Sequence, residues 1–406
     1  MISVATIGDI APKGKTILLR LDLNSPIDPS SHQILDDKRF REHIPTIKAL
    51  EESRVVILSH QSRPGKKDFT TLKGHAEYLE RLLHRPVRYV DDLFGTCARD
   101  AMRRMRNGDV LMLENVRFNA EENLTLKPEE AAKTVLVRKL STLADLFVND
   151  AFGTAHRSQP SMVGFPLVMK SVAGLLMEKE VTYLSKIFTD APRPACFVLG
   201  GTKVDDSIDV ARHVLGSGIA DKVMVIGVVA NVFLLAQGRS IGAPSTQLIQ
   251  QLGYRKEVDA ARTLMSQFPN RIVIPESVAV KEHNERVEYL VGSIPSDTPV
   301  LDIGVESIAH MTVSLREFGT VVFNGPAGVC EDSAFATGTV ELLRAAAKVP
   351  YSVVGGGHTI AVIERMGIEQ EFTHISTGGG ACIEFLTGKK LPALDALERS
   401  KQIFGL

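Results

Sequence analysis

The sequence predicts an α/β protein built from two doubly wound parallel-sheet domains joined by a long helix and a hinge. Short apolar strands alternate with helical stretches along the chain, the strands are apolar on both faces, and a long helical stretch lies midway. Strands of this kind are typical of parallel sheets that helices cover on both sides. The 406 residues are enough for two or three domains of roughly 100–200 residues each.

Apolar runs define the predicted strands, and a turn follows each of them. They cover 16–22, 54–60, 110–116 and 145–150 in the first half, and 195–201, 222–227, 271–276, 320–325 and 351–357 in the second half. Apolar residues spaced three and four apart predict helices over 39–52 and 128–144. The stretch 173–194 reads as a long helix closed by prolines. We therefore expect an N-terminal domain over 1–172, a connecting helix over 173–192 and a C-terminal domain over 193–390.

Composition and charge exclude several classes of protein. Hydrophobic residues make up 44% and charged residues 23% of the chain, and the net charge is −1. This balance gives no electrostatic reason to expect nucleic acid or membrane partners. The four cysteines are far apart, which argues against a disulfide framework and against a zinc site. The opening residues lack the basic start and apolar core of a signal peptide. We expect a cytoplasmic protein.

Polar and basic residues follow the first-half strands, at the sheet edge where ligands of parallel sheets bind. They are Asp22, Asn24, His60, Arg63, Arg117, His156 and Arg157, and Arg39 stands at the start of the first helix. Arginine binds carboxylate and phosphate groups through two parallel hydrogen bonds. Any single arginine here, taken alone, is better explained as a solvated surface residue. Their recurrence at successive strand ends favours a cationic pocket for a small polyanion.

Glycine-rich turns follow the second-half strands instead. These turns are "GGTKV" (200–204), "NGPAGVCE" (324–331), "GGGHT" (355–359) and "STGGGA" (376–381). Bare backbone N–H groups at a helix N-terminus attract anions, so we expect phosphate oxygens to approach here. The alternative is that the glycines only make tight turns, which four such turns in one half-chain disfavour. Cys330 and Cys382 lie beside these turns with no base evident nearby, so we expect both to serve packing.

Two nucleotide-binding motifs are absent. "GDIAPKGKT" resembles a Walker loop, but five residues separate Gly8 from Gly14 where the motif has four. It also runs into a strand rather than a helix, so the structural context is wrong. No G-x-G-x-x-G occurs, which weakens the alternative of a dehydrogenase.

From end to end the chain resembles the phosphoglycerate kinase family. The first half carries "LRLDLNSPI", "DDKRFR", "SHQSRP", "MLENVRF" and "NDAFGTAHRSQPSMVGF". The second half carries "GGTKV", "FNGPAGVCE", "GGGHT" and "HISTGGGACIEFL", in the order that the family has them. The resemblance implies a bilobal enzyme of glycolysis and gluconeogenesis that moves a phosphoryl group between MgATP and the carboxylate of 3-phosphoglycerate, with 1,3-bisphosphoglycerate and ADP on the other side.

The same resemblance assigns residues to the two substrates. The N-terminal domain would bind 3-phosphoglycerate through Asp22, Asn24, Arg39, His60, Arg63, Arg117 and Arg157. The C-terminal domain would bind the nucleotide through Lys203, Asn324, Glu331, Gly355, Gly356, Gly357, His358, Thr359, Gly378, Gly379 and Gly380, with Glu331 on the ribose. The last segment, 391–406, would pack back on the first domain. We expect the chain to act as a monomer.

The chemistry requires positioning and charge neutralisation more than proton transfer. The acceptor carboxylate is already ionised at pH 7, so no general base is needed. We expect Arg39 and Lys203 to neutralise charge on the moving phosphoryl group, and the amides around Gly356 and Gly379 to donate hydrogen bonds. The lobes would have to close to bring the two substrates together.

Three positions depart from the usual family pattern. Ser207 replaces a second lysine, His358 replaces an aspartate that binds Mg²⁺, and Phe323 replaces a tryptophan. These changes resemble the archaeal branch of the family. Because histidine suits Mg²⁺ poorly, we expect the ion to be carried by ATP oxygens and waters, with Asp206 as a candidate carboxylate. The same departures leave open a homologue that binds nucleotide but has lost catalysis.

Overall fold

The computed structural model describes residues 4–406 and divides into two compact units. Unit 1 comprises the chain through Thr182 together with Lys390–Leu406, and unit 2 comprises Tyr183–Lys389. Residues 1–3 of the predicted N-terminal domain lie outside the described part. Among residues 4–406, no helix has both the length and the apolar character needed to cross a membrane.

Unit 1 is built on a parallel sheet of six strands in the order β3-β4-β2-β1-β5-β6. The strands are β1 Thr16–Arg20, β2 Arg54–Leu58, β3 Val87–Tyr89, β4 Val110–Met112, β5 Leu146–Asn149 and β6 Ser171–Ala173. Leu18 at the centre of β1 is level with Val56 in β2 and with Phe147 in β5. The four strands predicted here are confirmed, and the short strands β3 and β6 were not predicted.

Helices cover both faces of this sheet. They are α1 Lys38–Ala49, α2 Lys73–Leu83, α3 Thr96–Arg103, α4 Pro128–Ala131, α5 Val135–Leu140 and α6 Pro160–Val163. Successive β1 residues point to opposite faces, so Ile17 and Leu19 join one buried cluster and Leu18 joins the other. The predicted helix over 128–144 is two short helices, α4 and α5.

The long helix predicted midway is confirmed as α7, Leu175–Thr189. It begins just after β6, where a buried carboxylate oxygen of Asp150 accepts hydrogen bonds from the backbone N–H groups of Leu176 and Met177. A carboxylate at this position satisfies N–H groups that have no partner within the helix and complements the helix dipole. The helix begins in unit 1 and ends in unit 2.

Unit 2 also contains a parallel sheet of six strands, in the order β15-β14-β13-β7-β8-β9. Its strands are β7 Ala195–Leu199, β8 Lys222–Val225, β9 Ile272–Val273, β13 Thr320–Asn324, β14 Tyr351–Gly355 and β15 His374–Ile375. The helices of this unit are α8 Val204–Gly216, α9 Gly227–Ala236, α10 Ala243–Gln251, α11 Arg255–Gln267, α12 Val305–Leu315, α13 Thr337–Ala346, α14 Gly357–Met366 and α15 Gly380–Leu386. The five second-half strands predicted are confirmed, and β15 was not predicted.

An antiparallel sheet of three strands in unit 2 was missed by the sequence analysis. Its order is β11-β10-β12, formed by β10 Ser277–Glu282, β11 Glu285–Leu290 and β12 Val300–Ile303. β10 and β11 form a hairpin whose two turn residues, His283 and Asn284, both have positive φ. Such turns match the twist of a hairpin. The interpretation of unit 2 as parallel sheet alone was therefore incomplete.

The last helix, α16 Pro392–Phe404, belongs to unit 1. Ala393 donates its backbone N–H to the carbonyl oxygen of Ala155 at 3.1 Å. The Ser400 hydroxyl accepts a hydrogen bond from the backbone N–H of Ser171, at the first residue of β6. These contacts tie the end of the chain to the loop after β5 and to the edge of the sheet.

Candidate active site

The first candidate site lies in unit 1, where the strand order reverses beside β1. Strands β2 to β4 lie on one side of β1, and β5 and β6 lie on the other. Loops that leave the carboxyl ends of neighbouring strands at such a point diverge and open a crevice. The loops after β1 and β5 therefore contribute the innermost residues of this site.

Asp22 is the buried acid of this crevice. Its carboxylate accepts a hydrogen bond from the guanidinium of Arg39 on α1. A Cβ on Gly153, in the loop after β5, would overlap the Asp22 carboxylate, so this position has room only for glycine. Burial alone would raise the pKa of Asp22, but the charge of Arg39, together with that of Arg20, holds it well below its ordinary value. Asp22 is thus ionised and orients Arg39.

Arg20 and His60 form a buried pair beneath Asp22. Arg20 Nη2 donates to His60 Nδ1 at 3.0 Å, and Arg20 Nε donates to the Ser161 hydroxyl at 2.9 Å. Because a guanidinium only donates, Nδ1 accepts and the hydrogen of the neutral ring is on Nε2. Burial and, next, the charge of Arg20 lower the pKa of His60 well below its ordinary value. His60 therefore offers a neutral N–H donor at physiological pH.

Arg117 carries a buried hydrogen-bond donor that no described protein atom accepts. Its Nη1 donates to the carbonyl oxygen of Ser62, whereas Nη2 is buried without a partner among residues 4–406. Burial, followed by the charge of Arg157, lowers the pKa of Arg117 to about 10. An unsatisfied buried donor is costly unless a ligand supplies the acceptor.

The charges around this crevice are mainly positive. Six charged side chains here affect one another's pKa values. They are four arginines and two carboxylates, namely Arg20, Arg39, Arg117, Arg157, Asp22 and Glu122. Within this set of six side chains, the arginines exceed the acids by two charges. Such an excess suits a small ligand with more than one negative charge.

The remaining predicted residues of unit 1 lie on the rim or between loops. Asn24 accepts a hydrogen bond from the backbone N–H of Ser62 at 2.7 Å, which ties the loop after β1 to the loop after β2. Arg63 and Arg157 are exposed, and His156 is half-buried. Arg157 is close enough to lower the pKa values of Arg20, His60 and Arg117. The exposure of Arg63 leaves its side chain available to solvent and ligand.

Sequence reasoning missed His43, which supports the crevice from α1. Its Nε2 accepts the backbone N–H of Asp22 at 3.1 Å, and its Nδ1 lies 2.7 Å from Asp150 Oδ2. His43 follows Arg39 by four residues, so helical spacing places both on one face of α1. That spacing was the signal available in the sequence. Arg20 was missed because it lies within β1 rather than after it.

The second candidate site lies in unit 2, where β7 and β13 are neighbours. A Cβ on Gly200 would lie 2.6 Å from the carbonyl oxygen of Pro326, and one on Gly227 would lie 2.6 Å from the same oxygen. A Cβ on Gly325 would overlap the backbone of Gly200. Close packing of the turns after β7, β8 and β13 thus already requires these glycines, and a ligand is not needed to explain them.

A cavity of about 270 Å³ opens beside these turns. Most of the side chains that line it are apolar, contributed by α9, α10, the antiparallel sheet and the turn after β13, and Glu331 and His358 also line it. Pockets of this kind hold flat, partly apolar ligands and orient them with a few polar groups. Sequence reasoning missed the apolar lining, which includes Leu234, Leu248, Val278 and Leu301.

The two triglycine turns differ from the packed glycines. A Cβ on Gly357 or on Gly379 would meet no atom within 4 Å. Gly356 has a φ of +92°, and a Cβ there would lie 3.0 Å from Asn324 Oδ1. Asn324 Oδ1 and the Thr359 hydroxyl are both buried without a partner among the described residues. The space in front of this turn is therefore open and lined by unsatisfied polar groups.

Glu331 and His358 stand together at the mouth of the cavity. His358 Nδ1 lies 2.8 Å from Glu331 Oε1, and both side chains are exposed. A backbone hydrogen bond lowers the pKa of Glu331 most, and the hydrogen bond with His358 lowers it further. Burial raises the pKa of the Cys330 thiol. The potential ligand atoms of Cys330, Glu331 and His358 lie within 4.8 Å of one another. Cys330 is buried in the hydrophobic core of unit 2, as expected for a residue that serves packing, and the fold also brings His358 near it, which the sequence did not show.

The start of α8 carries the remaining charged residues. Lys203 is exposed at the residue before the helix, and Asp206 is half-buried in its first turn. Burial raises the pKa of Asp206, and the negative charge of Asp205 raises it further. Ser207 is buried, and its hydroxyl donates to the carbonyl oxygen of Lys203 at 2.9 Å. Ser207 thus points into the helix and supplies no charge to the site.

The family model described as phosphoglycerate kinase matches residues 7–389. The chain belongs to the phosphoglycerate kinase family. It is 64% identical over 400 residues to the phosphoglycerate kinase of Methanocorpusculum labreanum, covering 98% of this chain and 99% of that one. It is 50% identical over 394 residues to phosphoglycerate kinase 2 of Methanosarcina acetivorans, covering 97% of this chain and 94% of that one.

Solved phosphoglycerate kinases have the same fold. The crystal structure of the enzyme from Pyrococcus horikoshii aligns with a TM-score of 0.92 at 42% identity, over 98% of this chain and 99% of that chain. The enzyme from Coxiella burnetii aligns with a TM-score of 0.82 at 32% identity, over the same shares. The relationship to phosphoglycerate kinases extends over both units, and it excludes the dehydrogenase alternative.

Proposed function

We propose that the chain catalyses reversible phosphoryl transfer between MgATP and the carboxylate of 3-phosphoglycerate. The observation that carries this proposal is the relationship to phosphoglycerate kinases over nearly the full length. The reaction belongs to glycolysis and gluconeogenesis. We place it in the cytoplasm and propose that the monomer is the active form.

The crevice of unit 1 would bind 3-phosphoglycerate. Arg117 Nη2 needs an acceptor, and a phosphate or carboxylate oxygen of the ligand supplies it. Neutral His60 donates from Nε2, and the exposed Arg63 and Arg157 approach from the rim. Asp22 and Asn24 provide acceptors for a hydroxyl group. The excess of arginines complements the negative charges of the ligand's carboxylate and phosphate groups.

The cavity of unit 2 would bind the nucleotide. Its apolar lining suits an adenine ring, and Glu331 at the mouth is placed to accept hydrogen bonds from ribose hydroxyls. Lys203, Asn324, Thr359 and the turns 355–358 and 378–380 would face the phosphates. The open space before Gly357 and Gly379 supports that assignment, because an added side chain there would meet only a ligand.

Mg²⁺ is proposed as the cofactor that accompanies ATP or ADP. The ion prefers oxygen ligands and keeps waters and phosphate oxygens around it, so the carboxylate of Asp206 suits it and the imidazole of His358 does not. Burial and Asp205 raise the pKa of Asp206, an effect that a nearby cation opposes. When bound, Mg²⁺ would neutralise charge on the phosphate oxygens.

The protein's part in catalysis is positioning and neutralisation of charge. The ionised acceptor carboxylate attacks directly, so no side chain has to remove a proton. Arg39 is held by Asp22, and its side chain is 35% exposed, so its planar fork is oriented and can reach a transferring phosphoryl group. Lys203 and the amides of Gly356 and Gly379 would neutralise the same charge from the nucleotide side. Hinge closure would bring the carboxylate and the terminal phosphate within bonding distance.

Formation of ATP from ADP and 1,3-bisphosphoglycerate tests the proposal. The purified chain should produce ATP only when both substrates and Mg²⁺ are present. Arg117→Ala should abolish most of the activity, whereas Arg103→Ala, on an exposed side chain paired with Asp100, should keep it. A folded wild-type chain that binds ADP yet makes no ATP would show instead a nucleotide-binding homologue without catalysis.

A further inference from the structure

A cluster of three different metal-binding side chains stands at the mouth of the unit 2 cavity. We propose that Cys330, Glu331 and His358, named here the Cys–Glu–His cluster, form a binding site for Zn²⁺ or a similar transition-metal ion. The separations between their ligand atoms are all within 4.8 Å. The site is distinct from the one proposed for Mg²⁺ at Asp206.

The chemistry of the donors selects the kind of metal. Thiolate, imidazole and carboxylate together are typical ligands of Zn²⁺, whereas Mg²⁺ takes oxygen ligands only. Three protein ligands also leave the fourth tetrahedral position for a water molecule. The imidazole of His358 beside the Cys330 thiol therefore favours a transition-metal ion over Mg²⁺.

The geometry is close to what tetrahedral coordination needs. Bonds of about 2.1 Å to nitrogen and oxygen and about 2.3 Å to sulfur place ligand atoms roughly 3.4–3.6 Å apart. His358 Nδ1 and Glu331 Oε1 are 2.8 Å apart, so they must separate slightly to admit an ion between them. No separation in the cluster exceeds 4.8 Å, so none has to contract by more than about 1.4 Å. Side-chain rotation can supply this change because Glu331 and His358 are exposed.

The backbone that carries the cluster is held firmly. Cys330 and Glu331 follow β13, and His358 is the second residue of α14. Arg365, further along α14, donates to the carbonyl oxygen of Cys330 at 2.9 Å, which connects the two segments. Cys330 is buried beneath two exposed side chains, so an ion enters from solvent and reaches the thiol last. On binding, the thiol forms a sulfur–metal bond and releases its proton to solvent.

The site has a consequence for the nucleotide. Glu331 and His358 also line the cavity, so a metal ion that holds both would displace a nucleoside from Glu331. Metal and nucleoside should therefore exclude one another. This consequence rests on the proposed function, whereas the metal site itself does not.

Cobalt(II) is the probe for the site, because a cobalt–thiolate bond absorbs in the near ultraviolet. Titration of the reduced, nucleotide-free protein with Co²⁺ should give this band and the visible bands of four-coordinate cobalt at one ion per chain, and Zn²⁺ should remove them. Cys330→Ser should lose the near-ultraviolet band, and His358→Asp should weaken cobalt binding. Cys97→Ser, on an exposed cysteine outside the cluster, should keep the full signal.

Thermal unfolding separates lost binding from lost folding. Zn²⁺ should raise the unfolding midpoint of the wild type and leave that of folded Cys330→Ser unchanged. Absence of the thiolate band in the wild type, or its persistence in Cys330→Ser, would overturn the site.

Adenosine, which lacks chelating phosphates, should reduce the band. If calorimetry shows that adenosine binds while the band persists, mutual exclusion is wrong and the metal site stands. Failure of adenosine to bind would refute both the exclusion and the nucleotide assignment.

Discussion

His43 Nδ1 donates a hydrogen bond of 2.7 Å to Asp150 Oδ2, and both side chains are almost completely buried. The other oxygen of Asp150 accepts N–H groups from the start of α7, and His43 Nε2 accepts the N–H of Asp22. One imidazole and one carboxylate thus fix the ends of β1 and β5 and the first turn of α7. The position of the Asp22 loop thus depends on a contact between His43 and Asp150, which are 107 positions apart in the chain.

Replacement of His43 by alanine should destabilise the protein. The variant leaves Asp150 Oδ2 and the N–H of Asp22 buried without partners, at a cost of about 1–3 kcal/mol each. Urea unfolding followed by circular dichroism should show the loss, and the KM for 3-phosphoglycerate should rise as Asp22 loses its anchor. His310→Ala, on an exposed residue within α12, is the control. An unchanged unfolding midpoint in His43→Ala would mean that the buried hydrogen bonds contribute nothing.

Loss of the Arg39 side chain should affect catalysis rather than nucleotide binding. Arg39→Ala removes a donor proposed to face the transferring phosphoryl group, and such losses typically lower kcat by about 10²–10³-fold. The Kd for ATP, measured by calorimetry, should not change. Arg41→Ala lies on the same helix, in an exposed ion pair with Asp37, and should retain full activity. An active Arg39→Ala enzyme would remove Arg39 from the mechanism.

The parallel sheets could be predicted from the sequence because both faces of their strands are buried. Runs such as "ILL" (17–19) and "ACFVL" (195–199) are apolar without interruption, and helices separate the strands that contain them. The antiparallel strands could not be found in this way. β11 contains only exposed and half-buried residues, and its partner β10 is adjacent in the chain, so neither shows the strand–helix rhythm.

The candidate site was predictable where its residues follow strands. Asp22, His60 and Arg117 obey that rule, and they lie close enough to affect one another's pKa values. Arg20 lies inside a strand, and His43 acts through Asp150, so position in the chain gave no sign of either role. Cys330 and His358 are 28 positions apart, and only the pairing of β13 with β14 brings their segments together.

Protonation of His75 should make stability depend on pH. Burial lowers the pKa of His75 from 6.5 to about 4. Between pH 6.5 and pH 4 the unfolded chain binds more protons than the folded chain. As far as His75 is concerned, the free energy of unfolding is therefore at its full value above pH 6.5 and decreases as pH falls towards 4. The shift corresponds to roughly 3 kcal/mol. His75→Gln can keep a hydrogen bond to Gln61, and its unfolding midpoint should fall less steeply with acid than that of the wild type.

The control for this pH series is His310→Gln, because His310 is exposed and lies within α12. Its midpoint should follow that of the wild type at every pH. A His75→Gln variant with the same acid dependence as the wild type would assign the effect to other groups.

Alanine at Gly357 should distinguish a ligand contact from a tight turn. A Cβ there would meet no protein atom within 4 Å, and its φ is not in the left-handed region. Gly357→Ala should therefore fold normally, yet weaken ATP binding by about tenfold or more, or roughly 1.4 kcal/mol. Gly367→Ala is the converse control, because Gly367 ends α14 with a φ of +67° in open space. It should lose stability and keep its ATP affinity.

Asparagine at Asp206 should raise the Mg²⁺ concentration required for activity. The change preserves the shape of the side chain and removes the negative charge that would attract the ion. Activity measured against free Mg²⁺ at saturating ATP should show the curve displaced to higher concentration, with the same maximal rate once Mg²⁺ saturates. Asp205→Asn is the matched control, since Asp205 is the exposed neighbour in the same helical turn. If the Mg²⁺ curves of wild type and Asp206→Asn are identical, this carboxylate does not bind the ion, and phosphate oxygens and water hold it instead.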